Sequence, residues 1–571
     1  MNKIILLILV LSLAGFHLLF LDSDPSPIKR WGDACDEGYW IHNARLNTLF
    51  ENYNIDDMQM SRFGAPLFNF LTEYSFKIFG VSYFSARLIP IISYWLILIM
   101  IFFILRDHIG SERSIRYAFL FGIIHEVLMY AKWATPVITE MMFLLAIMFF
   151  YRLKHKNKYY CFLSGVAFAL AILTKLTAVL FAPSLIIFIL WEFKSNKTFF
   201  QEILLLISGT IFIILPVLVI FVFPNLYNFG IMFDYPAYTA GFFNIILTIK
   251  NLILIPLNFT LFKYPSTVFI FIFSLLYFAD KITNLIIYPR YDKSHHISTI
   301  EKFFISWIVG ITISLCINNQ MGYDRRMVGL FIPFYILSII YFSNSSDIMG
   351  KLKSASSNKF FIIFSLYLLI FSLSCFYLGS IYKTSLSHWF GDGNPILENG
   401  NSEFGLMIYF LPFGFYFLFL IINYKTFFLK KILLMSLISF SVLLNIVWYT
   451  NSSFTVRDSL KNLINHKTND NFIAGHLAHW IAAHTYLKPI WYCRSYDKND
   501  DFNKWFFDYK KEKNFLLVSQ SIPSEGIRGR SFFIDIDLFK KENLKLNGEL
   551  NLSPMPFTGT FREKLKIYEV N

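Results

Sequence analysis

The sequence predicts a polytopic α-helical membrane protein that ends in a small α/β unit. Three observations carry this expectation. Of 571 residues, 56% are hydrophobic and only 16% charged, and the mean hydropathy is +0.51, whereas soluble chains carry charge on about a quarter of their residues. The apolar residues also fall in long runs, many near the roughly 20 residues that a helix needs to cross a bilayer. From about residue 450 the long runs stop, and His, Asp, Lys and Asn become frequent between short strand-like stretches. The net charge of +13 comes from Lys and Arg in short loops between apolar runs. Topology accounts for it, so nucleic-acid binding is set aside. The five cysteines show no CxxC pair and no metal-ligand spacing.

Residues 4–21 form the first apolar run. No small-x-small site follows it, only Asp22-Ser23-Asp24-Pro25, so it reads as a retained span with a cytoplasmic N-terminus. Residues 22–81 then make a long first external loop with two amphipathic segments, Tyr39 to Phe50 and Pro66 to Phe79, the second suited to the membrane interface. Further spans are expected near 82–105, 115–131, 136–151, 159–173, 175–193, 201–223, 264–280, 303–318, 327–342, 359–379, 405–423 and 432–450, about thirteen in all. Alternate loops carry the cations: Arg106, Arg113 and Arg116; Arg152, Lys154, Lys156 and Lys158; Lys194 and Lys197; Lys281, Arg290, Lys293 and Lys302; Lys351, Lys353 and Lys359; and Lys425, Lys430 and Lys431. All fall on one side at this count, as the positive-inside rule requires. The stretch 224–262 is aromatic and half-apolar, an interfacial or re-entrant loop. The transmembrane domain is thus residues 1–450, and residues 451–571 form an extracytoplasmic α/β domain. Within the latter, a helix is expected over 470–486 and strands near 490–492, 515–518, 531–536 and 565–570.

Polar residues that are costly near lipid cluster on the external side of this topology. Asp36 and Glu37 lie in the first external loop, just before the amphipathic segment that opens at Tyr39. An Asp there can cap a helix, or it can serve as a base. Arg87 sits at the external end of the second span, and Glu140 at the start of the fourth, after Lys132-Trp133-Ala134-Thr135-Pro136. Lys175 interrupts an apolar stretch between two short spans, and Arg325-Arg326 follows Met321-Gly322-Tyr323-Asp324. Each could simply snorkel or form a structural ion pair. Together, acids and bases on one face suit binding an anion and moving a proton. Transfer from a phosphate-linked donor fits this set: a carboxylate takes the acceptor's proton while cations hold the departing phosphate.

The order of motifs is specific. An apolar span, Asp36-Glu37 in the first external loop, Pro66-Leu67 in an amphipathic helix, and Ala86-Arg87-Leu88 entering the next span resemble the GT-C membrane glycosyltransferases. The nearest likeness is to the protein O-mannosyltransferase and aminoarabinose-transferase group (glycosyltransferase family 39-like). Gly165 to Pro183, with its Leu173-Thr174-Lys175 core, and Arg325 to Pro333 resemble later motifs of that group. Two departures are Gly64-Ala65-Pro66, where such proteins often carry His-Pro-Pro or Lys-Pro, and the long interval from Lys132 to Glu140.

The resemblance implies inverting transfer of a hexosyl or pentosyl group from a polyprenyl-phosphate donor, outside the plasma (inner) membrane. The acceptor is a lipid, glycan or protein. Asp36 is the implied base, with Glu37 beside it and Glu140 as the second acid. Lys175, Arg87 and one or both of Arg325 and Arg326 are the implied phosphate ligands, and Tyr323 and Arg62 the substrate-binding candidates. No cofactor is assigned, and a divalent metal is left open. His476 and His479 share a helix face in the tail but complete no metal set. Competing readings are a ligase or polymerase of lipid-linked glycans, or a lipid or solute transporter.

Overall fold

The computed structural model describes residues 17–23, 31–51, 60–193, 199–226, 297–317 and 328–352, five strands between 471 and 570, and isolated positions including 438, 441–442, 445–446 and 482. The expected spans at 359–379 and 405–423, and the loop at 227–262, lie outside the described residues.

The first external loop folds into α1 (Trp31–Phe50), α2 (Met60–Gly64) and α3 (Pro66–Phe79). α1 begins at Trp31, well before Tyr39. Asp36 therefore lies in its second turn and is not an N-cap; the capping reading of that residue does not hold. A polar cluster joins the three helices: Ser61 Oγ donates to Asn43 Oδ1 at 2.8 Å, and Asn47 Nδ2 to Glu73 Oε1 at 2.8 Å. α3 buries Phe68, Asn69, Thr72 and Phe76 and leaves Phe70, Tyr74, Ile78 and Phe79 exposed, the amphipathic division that suits an interfacial helix.

Gly80, at φ +80°, turns the chain from α3 into α4 (Tyr83–Ile109). Ser82 and Ser85 cap the start of α4 reciprocally. Its 27 residues span about 40 Å, enough to cross a hydrocarbon core of about 30 Å with a tilt. The expected span at 115–131 is instead two helices, α5 (Ser111–Gly122) and α6 (His125–Lys132). Side chains supply the partners that the break requires. Tyr94 Oη donates to Gly122 O at 2.7 Å, Asn445 Nδ2 donates to Ile123 O at 2.8 Å, and Asn445 Oδ1 lies 2.8 Å from His125 Nδ1.

The bundle continues up and down through α7 (Val137–Tyr151), α8 (Tyr160–Thr174), a 3-10 turn (Leu176–Phe181), α9 (Ala182–Phe193), α10 (Phe199–Val217, ending in a π turn at Leu218–Val222), α11 (Thr299–Ile317) and α12 (Phe331–Leu352). α8 and α10 touch backbone to backbone. A Cβ on Gly165 would strike the Leu206 carbonyl, and one on Gly209 the Phe162 carbonyl, the small-residue contact that membrane helices use in place of hydrophobic drive. In the centre, Phe181, Phe303 and Trp307 pack edge to face, with Phe181 and Trp307 centroids 5.0 Å apart.

Helices α4, α10 and α11 are long and apolar enough to cross a membrane, and α8, the stretch 176–192 and the start of α12 are shorter apolar helices. One end of the bundle is pinned by ion pairs: Arg152–Asp107 at 3.1 Å, Lys154–Glu202 at 2.8 Å and Lys302–Glu192 at 2.8 Å. The opposite end holds the start of α4 and α7 and the end of α6 and α8.

In the tail, β1 (Asn471–Ala474), β2 (Lys488–Ile490), β3 (Asn514–Gln520), β4 (Leu544–Asn551) and β5 (Lys564–Val570) form one sheet in the order β2-β1-β3-β5-β4. β1 is parallel to β2 and β3, while β5 runs antiparallel to β3 and β4. The helix expected over 470–486 must give way to strand at its start: Phe472 and Ile473 pair on both sides, between Lys488-Pro489 and Phe515-Leu516. The expected strand at 531–536 lies outside the described residues, as do His476 and His479.

Candidate functional site

Two carboxylate–cation pairs form at the end of the bundle away from the Arg152 and Lys154 ion pairs. The first is built where the first apolar run stops. Carbonyls at such a stop lack partners, and Arg87, one turn into α4, supplies them: Nη1 donates to Leu21 O at 2.7 Å and to Ser23 O at 2.6 Å. Its other nitrogens meet Glu37 from α1, Nε to Oε1 at 2.8 Å and Nη2 to Oε2 at 2.7 Å. Both side chains are fully buried, and the guanidinium stands 4.7 Å over the Tyr83 ring.

The segment 132–136 closes this cluster from a third direction. The Ala134 amide donates to Glu37 Oε1 at 2.8 Å, and Lys132, buried at the end of α6, donates through Nζ to Ser23 Oγ. The break at Ile123–Ile124 is what delivers α6 here. Every guanidinium nitrogen of Arg87 is thus engaged by protein. The Glu37–Arg87 pair braces three chain segments against one another.

The second pair is looser. Glu140 lies in the first turn of α7, following Pro136, and Lys175 sits at the C-terminal end of α8 in extended backbone. Opposite charges at those termini complement the helix dipoles. Because α7 and α8 run antiparallel, both residues reach the same end, where Lys175 Nζ lies 3.6 Å from Glu140 Oε2 with side chains 9% and 14% exposed. Thr139, next to Glu140, bonds to Ser93 at 3.0 Å, nearly two turns along α4 from Arg87. α4 thus carries Arg87 of the first pair and, through Ser93, touches the helix turn that carries Glu140 of the second.

The remaining expected residues divide. Asp36 precedes Glu37 in the second turn of α1, and its side chain lies outside the described residues. Arg62, in α2, stacks on aromatics instead of opening to solvent, 5.3 Å over Phe63 and 5.7 Å over Phe221 of the π turn. Tyr323, Arg325 and Arg326 lie outside the described residues. Among the described residues no three His, Cys, Asp or Glu side chains group as metal ligands would. The residues that sequence reasoning passed over are Ser23, Lys132 and Ala134. The signal was Lys132 itself, a cation at the end of an apolar run and just ahead of Pro136.

Residues 64–221 match the family model described as dolichyl-phosphate-mannose-protein mannosyltransferase. The match takes in Arg87, Lys132, Glu140 and Lys175 and begins after Asp36 and Glu37. No curated protein matches the chain in sequence. Among solved structures, ArnT from Cupriavidus metallidurans bound to undecaprenyl phosphate aligns with a TM-score of 0.54, covering 98% of this chain and 97% of that chain at 12% identity. Its apo form aligns with a TM-score of 0.55 over 99% and 97%, again at 12% identity. The helical order, the matched segment and the near-complete overlap agree: the chain has the GT-C fold of membrane glycosyltransferases of the mannosyltransferase and ArnT type.

Proposed function

We propose that this protein transfers a sugar from a polyprenyl-phosphate donor to a lipid, glycan or protein acceptor, with Asp36 as the base. The observation that carries the reading is the gathering of Glu37, Arg87, Glu140 and Lys175, from four separate helices, at one end of a GT-C bundle. The ArnT structure with bound undecaprenyl phosphate favours a polyprenyl-linked donor here. In this reading the acceptor hydroxyl oxygen attacks C1 of the sugar, its proton passes to Asp36, and the C1–O bond to phosphate breaks with inversion. The phosphate leaves with the bonding pair, and Lys175, together with the Arg325-Arg326 segment, offsets that charge. A phosphate monoester with a second pKa of about 6 is a good enough leaving group to need no strong acid.

Glu37 and Arg87 position the helix that carries Asp36. Buried charge is retained there because Arg87 meets two carbonyls and a carboxylate at once. Glu140 is the second acid of the site, and Tyr323 and Arg62 belong to the substrate side. The positive-inside pattern favours an extracytoplasmic site, about thirteen spans over residues 1–450, an inner-membrane location and an extracytoplasmic α/β domain over 451–571.

The deciding experiment is turnover of Asp36→Asn with a polyprenyl-phosphate sugar and a productive acceptor. Asn keeps the size and hydrogen-bonding capacity but cannot take the proton. Stability is expected to stay within about 1 kcal/mol, while kcat falls about a hundredfold or more, the usual contribution of a general base. A folded, donor-binding Asp36→Asn protein with near wild-type kcat would remove Asp36 from the mechanism. Loss of turnover in a Glu37→Gln protein shown to be folded and donor-binding, with Asp36→Asn active, would exchange the two roles.

A further inference from the structure

The two ion pairs of the site differ in a way that assigns them different jobs. Glu37–Arg87 is bidentate, completely buried and held by backbone groups on both partners. Glu140 and Lys175 stand 3.6 Å apart, beyond a direct hydrogen bond, and both side chains keep some exposure. Lys175 hangs from a helix end whose backbone is already satisfied: its amide donates to Ala171 O at 3.0 Å and its carbonyl accepts from Ala178 N at 2.9 Å. The ammonium can therefore change partner without disturbing the chain.

We propose that Glu140 is a resident counter-ion that occupies Lys175 until a phosphate replaces it. The proposal rests on Lys175 serving the donor phosphate. A buried cation with no anion near it is costly, so an empty site needs a carboxylate beside Lys175. A phosphate offers more charge and more acceptor oxygens than one carboxylate and takes the ammonium over. Glu140 then competes with the donor, and with the polyprenyl phosphate that remains after transfer. Its release from Lys175 is tied to occupancy, and its return helps expel the spent lipid phosphate.

This predicts an affinity gain from removing an acid at the site. Binding of undecaprenyl phosphate to the purified full-length protein is measured for wild type, Glu140→Gln, Lys175→Met and the double variant, each first shown to be monodisperse and thermally folded. Glu140→Gln is expected to bind about fivefold tighter, the size set by a partly exposed ion pair that no longer has to break. Lys175→Met is expected to bind tenfold or more weakly, and the double variant to match Lys175→Met, because Glu140 acts only through Lys175. Unchanged or weaker binding by Glu140→Gln, while Lys175→Met binds poorly, overturns the exchange and leaves the phosphate role of Lys175 standing. Wild-type affinity in Lys175→Met overturns the underlying assignment. A gain from Glu140→Gln that persists in the Lys175→Met background also overturns the exchange, since the carboxylate would then act directly on the lipid.

Discussion

At the scale of the residue, Arg87 is where sequence and structure say most about each other. A single arginine entering an apolar helix invites a ligand, yet here four hydrogen bonds hold it inside the protein. Breaking such a pair strands a buried charge, so Glu37→Gln or Arg87→Met is expected to destabilise by about 3–5 kcal/mol. The double change Glu37→Met with Arg87→Met is expected to be more stable than either single variant, because neither charge is left alone. Thermal unfolding in detergent checks this. Single variants that melt with wild type would mean that the pair braces nothing.

The element scale concerns how α8 presents Lys175. α8 is short, and its position is set by backbone contact with α10 through Gly165 and Gly209. An added methyl at Gly165 must move one helix, since the obstacle is the Leu206 carbonyl and not a flexible side chain. Gly165→Ala is expected to cost about 1–3 kcal/mol, as overpacking does. Gly329→Ala, with open space around it, is expected to stay within about 0.5 kcal/mol. Denaturation in mixed micelles compares the two. Equal stability of both variants would show that the α8–α10 contact can slide freely.

For the whole molecule, sidedness decides which substrates can reach the site. The ion pairs at Arg152, Lys154 and Lys302 mark the end rich in cations, and the acid pairs lie at the other. With the cations inside, a single cysteine introduced near Lys540 is expected to react with an impermeant maleimide from the extracytoplasmic side of intact cells. Labelling only after the cytoplasmic side is opened would reverse the orientation and put the acid pairs on the wrong face.

What the sequence determined by itself was whatever depends on local composition: apolar helices, with cations clustered between the apolar runs. Glu140 and Lys175 were expected on one face of the membrane, and the fold pairs them because antiparallel helices return the start of one and the end of the next to the same level. Tertiary structure alone decided the rest. The segment 115–131 is apolar throughout and reads as one span; its break exists because Tyr94 and Asn445, far along the chain, satisfy the backbone there. Asp36 reads locally as a helix cap, but the helix starts five residues earlier, at Trp31. Residues 471–474 became strand because parallel partners flank them on both sides. The same holds for Glu37 and Arg87. Hydropathy shows that each charge is expensive near lipid, but only the fold brings Leu21, Ser23 and Ala134 close enough to show what each charge is held by.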